Sequence, residues 1–111
     1  MIVKYLPVKE ISRADAEEAL GSADVEKISF ALVSISSCEN DFAWVQNKLL
    51  DFLEHPNSDI SGLAATCLGH LARKHGIVDK GHVVKRLRSH LDNGAVAGRV
   101  SDALDDIETF L

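Results

Sequence analysis

Residues 59–76, DISGLAATCLGHLARKHG, decide the fold of this 111-residue chain. They follow a turn, His55-Pro56-Asn57-Ser58, in which Pro56 cannot continue the preceding helix and Ser58 or Asp59 is placed to cap the next one. Ile60, Leu63, Ala64, Cys67, Leu68 and Leu71 recur at helical spacing, and Gly76 stands where a left-handed C-cap belongs. Gly62, Ala64, Ala65, Cys67 and Gly69 are small enough to let a neighbouring helix approach closely. The stretch predicts a helix packed on one broad side inside a stack.

A shift of 36 residues in either direction brings the pattern back: Ala31-Leu32 aligns with Cys67-Leu68 and Ala103-Leu104, with Ile28, Ala64 and Val100 ahead and Ile35, Leu71 and Ile107 behind. A repeat of this length with paired helices predicts an all-α chain, a short right-handed α-solenoid of about five to six antiparallel helices whose units bury their apolar faces only against one another. Such an architecture points to binding surfaces before it points to chemistry.

The totals agree with one soluble domain. The chain is 46% apolar and 26% charged, with two prolines and no low-complexity run, so a single core can form without a disulfide or metal. No apolar run reaches membrane-spanning length, and Met1-Ile2-Val3-Lys4-Tyr5 lacks the features of a signal peptide, which predicts a cytoplasmic protein with no membrane partner. Cys38 and Cys67 have no ligand-like spacing. The net charge of −5 is arranged in blocks: residues 1–69 hold 5 basic against 11 acidic side chains, residues 70–90 hold 6 against 1, and residues 91–111 hold 1 against 5. An acidic total disfavours phosphate backbones as partners, although one basic helix remains.

In chain order, residues 1–11 form an N-terminal arm, extended over 1–8 because of Pro7. The first helix pair covers 12–37. Ser12-x-x-Asp15 resembles a capping box, Gly21 stops the first helix, and Ser22 caps the second, whose apolar face is Val25, Ile28, Ala31, Leu32 and Ile35. The second pair covers 41–75: Asp41 caps a helix to Glu54 whose face is Phe42, Val45, Leu49, Phe52 and Leu53, with Trp44, Lys48 and Asp51 along its edge. The third pair covers 79–111. Asp79 caps a helix to Leu91 with Val83, Val84, Leu87 and Leu91 inward and His82, Lys85, Arg86 and Ser89 outward; Asn93-Gly94 is a turn, and a last helix spans 95–110.

The turn Pro56-x-x-Asp59-Ile60 followed by Ala64-Ala65-x-Cys67-Leu68-Gly69-x-Leu71 resembles the second-helix pattern of HEAT repeats. The resemblance covers about residues 22–111 and implies one HEAT-like domain. It departs at Ser61, where that family often carries an Arg that bonds along the stack. The sequence Asp102 to Ile107, Asp-Ala-Leu-Asp-Asp-Ile, is similar to the ending of small bacterial HEAT-like proteins, some of which look like immunity proteins of contact-dependent growth inhibition or other polymorphic toxin systems. That likeness implies one protein partner, the C-terminal domain of a toxin, with nucleases among the candidates.

The residues themselves supply no catalytic constellation. There is no Gly-x-Ser-x-Gly elbow, no helix-N-terminal cysteine and no phosphate-cradling glycine loop, so no enzyme and no cofactor are expected. Cys67-x-x-His70 sets two ligand types on one helix, but Cys67 falls in the packing column of Ala31 and Ala103, so no metal is expected. Two regions are candidates for partner binding. One is an outer surface joining Trp44, Lys48 and Asp51 to His82, Lys85 and Arg86, with Trp44 as an anchor. The other is the acidic face Asp102, Asp105 and Asp106, where Asp102 and Asp106 repel at i,i+4 spacing; its alternative reading is a polar cap on the end of the stack. A nucleic-acid binder using helix 79–91, or a scaffold with no inhibitory role, are the competing functions.

Overall fold

The structure, a computed structural model, describes residues 11–74, 76 and 79–110. Six helices make up its regular structure: α1 (Arg13–Leu20), α2 (Val25–Cys38), α3 (Phe42–Leu53), α4 (Ser58–Lys74), α5 (Lys80–Arg88) and α6 (Ala97–Phe110), and no strand occurs among the described residues. The expected extended arm over residues 1–8 lies outside them.

Five of the six helices, α1 to α5, begin where a short polar side chain satisfies free amides. Ser12 Oγ accepts from the Asp15 amide (3.1 Å), Asp41 Oδ1 from that of Trp44 (3.2 Å) and Asp79 Oδ1 from that of His82 (3.2 Å), as the sequence predicts. Two caps differ. Asp24, not Ser22, caps α2, accepting from Glu26 at 2.9 Å and Lys27 at 3.3 Å, while Ser22 closes the preceding turn by donating to the Ala19 carbonyl at 2.7 Å. Asn57, not Ser58 or Asp59, caps α4, accepting from Asp59 at 2.8 Å and Ile60 at 3.4 Å. Both sites offer more than one capping residue of nearly equal strength within three positions, which sequence cannot rank. Gly76 takes φ 91° with its amide on the Leu71 carbonyl at 3.0 Å, the left-handed stop expected there.

α4 is the central element. It packs against α2, α3 and α6, while α1 pairs with α2 and α5 with α6. Ile60, Leu68 and Leu71 of α4 are buried with Leu32, Leu49, Leu53, Val100 and Ile107 in one core. α4 and α6 meet over glycines. An added methyl at Gly69 would lie 3.1 Å from the Ala103 Cα, and one at Gly62 would lie 2.7 Å from the Arg99 side chain. The pairs Gly62–Arg99, Gly69–Ala103 and Arg73–Asp106 advance together along both helices, so α4 and α6 run parallel. The intervening α5 returns the chain between them and packs on α6. The body measures 36 × 33 × 27 Å with a radius of gyration of 13.5 Å, the size of a compact domain of this length.

Two predicted core positions turn outward. Val25 is 40% exposed because it opens α2, before the helix has a full turn to press against its neighbours, and Leu91 is 41% exposed because α5 ends at Arg88 and the chain continues as tight turns to Asn93. Ser61, the departure from the resembled pattern, is buried and donates Oγ to the Leu53 carbonyl at 2.6 Å, tying α4 to α3 inside one pair. Bonds from one pair to the next are made elsewhere, among them those of Arg86.

Candidate functional site

Three second helices, α2, α4 and α6, lie side by side and leave a groove of about 730 Å³ along their shared outer surface. Its floor is apolar: Val33 from α2, Leu63 and Cys67 from α4, Ala103 from α6. Hydroxyls of Ser36, Ser37 and Thr66 line the walls. The rim is charged, with Arg73 and Lys74 on α4 and Arg99, Asp102 and Asp106 on α6. Arg73 Nε stands 3.9 Å from Asp106 Oδ2, and Arg99 Nη1 donates weakly to the Asp59 carbonyl at 3.4 Å. Lys74 and Asp102 have no ion-pair partner among the described residues. Burial pushes the Cys67 thiol up, against a smaller opposing pull from the Ser36 hydroxyl, so this sulfur stays a protonated part of the floor.

The expected composite surface does not form. Trp44 and Lys48 face α1: the Arg13 guanidinium lies 4.4 Å from the Trp44 ring centroid, Lys48 Nζ lies 5.8 Å from it, and Lys48 pairs with Glu17 at 3.1 Å. Arg13 is in turn held by Glu39 and Asp41, each at 3.3 Å. Two cations therefore cover the ring proposed as an anchor. Asp51 is exposed two turns beyond Trp44 on the same stripe. α5 meets the C-terminal end of α3, where Arg86 Nη2 donates to the Leu50 carbonyl at 3.1 Å and to Glu54 Oε2 at 2.8 Å. His90 Nε2 is also 2.8 Å from Glu54 Oε2, and these two contacts, His90 first and Arg86 second, hold the Glu54 carboxyl below its ordinary range. His82 and Lys85 remain exposed on α5.

The acidic cluster divides as well. Asp102 and Asp106 border the groove, whereas Asp105 points away from it into solvent. Arg73, across the helix interface, offsets the charge of Asp106 and so part of its repulsion with Asp102. Compensation invisible on α6 alone comes from α4.

No family model matches the chain, and no curated protein matches it. Among solved structures it is similar to a chain in the crystal structure of a CDI complex from Cupriavidus taiwanensis LMG 19424, with 32% identity over 98% of both chains and a TM-score of 0.86. The chain belongs to the same family as that component of a CDI complex. For this CDI-related protein the sequence reading missed the groove's α2 and α4 side, above all Val33, Leu63, Arg73 and Lys74. The signal was present in the period: Phe30, Thr66 and Asp102 are equivalent positions 36 residues apart, and the last two line the groove. No helix among the described residues is long and apolar enough to cross a membrane.

Proposed function

We propose that this chain is the immunity protein of a contact-dependent growth inhibition system, a non-enzymatic cytoplasmic protein that binds and neutralises one toxin domain. The observation that carries the reading is the full-length similarity to a component of a CDI complex, at an identity high enough for common descent. The helix-pair architecture supports it, since parallel second helices present one continuous surface to a partner. We read the three pairs as HEAT-like repeats in a short right-handed solenoid; the 36-residue spacing of the contacts from His90 to Glu54 and from Arg86 to Leu50 supports this.

The neutralising mechanism is steric and electrostatic. A net charge of −5, with Asp105 and Glu108 exposed on α6, steers a basic toxin surface toward the protein, and burial of apolar surface then retains it. Co-expression tests this. Cells expressing the C-terminal domain of the secreted protein encoded next to this chain should stop growing, and this chain, but not an unrelated acidic helical protein, should restore growth. Failure to restore growth when both proteins are present in soluble form would remove the immunity reading.

A further inference from the structure

We propose that the α2–α4–α6 groove is the docking site for an exposed segment of the partner protein in which an apolar side chain is flanked by a carboxylate. The inference rests on the immunity reading and names the surface and the chemistry of its contact.

Three features select this face. First, its apolar surface is continuous. Val33 and Leu63 are only partly buried in the groove, and Phe30, 45% exposed, precedes Val33 by one turn on the same side of α2. Phe30 flanks the groove on α2, at the repeat position of Thr66 and Asp102, which line it, while the apolar floor passes from Val33 of α2 through Leu63 of α4 to Ala103 of α6. Second, the charge of the rim is opposite to that of the molecule. Within a chain of net charge −5, the groove gathers Arg73, Lys74 and Arg99 against Asp102 and Asp106. Asp106 is engaged by Arg73 at 3.9 Å, and Lys74 and Arg99 outnumber the remaining Asp102, so the rim keeps one net positive charge for an incoming group. A carboxylate fits there; a second cation would meet like charge. Third, the competing faces are already occupied: Trp44 lies under Arg13 and Lys48, and Arg86 is bound to Leu50 and Glu54.

The arrangement separates two tasks. The acidic exterior sets the encounter rate with a basic toxin domain, while the locally cationic, apolar groove rejects partners lacking an acidic-apolar segment.

The test is surface plasmon resonance of the full chain against the toxin domain encoded beside it, with Phe30→Ala, Lys74→Glu, Asp105→Lys and Lys85→Glu variants. All four positions are exposed, and circular dichroism verifies that each variant folds. Phe30→Ala and Lys74→Glu should each raise the dissociation rate by about tenfold or more, while Asp105→Lys changes only the association rate and Lys85→Glu changes neither. Wild-type binding with unchanged dissociation of both the Phe30→Ala and Lys74→Glu variants would overturn the groove assignment and leave the immunity reading standing. Absence of wild-type binding to that domain would overturn both.

Discussion

Arg86 donates to the main-chain carbonyl of Leu50, the residue 36 places earlier in the sequence. With His90 and Glu54, also 36 apart, it makes the repeat of the sequence a physical contact between successive helix pairs. Replacing Arg86 with Met keeps most of the stem packing and removes both bonds. The expected cost is about 1 kcal/mol, seen as a fall of several degrees in the unfolding midpoint. An unchanged midpoint would mean that the pairs are joined by apolar packing alone.

Glu54 gives the same junction a pH dependence. Its folded-state pKa is depressed, so its contribution is fully present above the ordinary carboxylate range and is lost as pH falls through the lower folded value. The Glu54 side chain is 51% exposed, so screening keeps the contribution below about 1 kcal/mol. The stability difference between wild type and Glu54→Gln, measured by urea unfolding, should be largest near pH 7 and close to zero by about pH 3.

The two glycines under α6 should respond in opposite ways. At Gly62 an added methyl meets the flexible Arg99 side chain, which can move; at Gly69 it meets the Ala103 backbone at 3.1 Å and the Asp106 carboxylate at 2.8 Å. Gly62→Ala should hold or raise stability through helix propensity, and Gly69→Ala should lower it, with a gap of about 1–2 kcal/mol between them in denaturant titrations. Equal effects would contradict the close α4–α6 approach.

The thiols offer a check on the groove floor. Cys67 is 5% exposed and its pKa is raised, whereas Cys38 is half-buried. With a colorimetric disulfide reagent near pH 8, one thiol should react quickly and the second only on unfolding; Cys38→Ser should abolish the fast phase. Two fast thiols would mean that the floor around Cys67 opens readily.

The six helices were legible in the sequence because the small-Leu pattern around Cys67 repeats at Ala31 and Ala103, and a period survives small errors of boundary. Surface partnerships were not legible. A wheel of α3 places Trp44 and Lys48 at an edge, but only the packing of α1 shows that Arg13 and Glu17 occupy that edge. The same holds for Asp106, whose compensating Arg73 lies 33 residues earlier, on another helix. Charges reported by one helix alone overstate both strain and availability.

The most direct measurement is titration calorimetry of this chain against the toxin domain that the immunity proposal requires as its partner. The account predicts a one-to-one complex with a Kd below about 10⁻⁷ M, in the range of specific protein complexes of standard size. No heat at tens of micromolar, with both proteins folded and the toxin domain active, would contradict it.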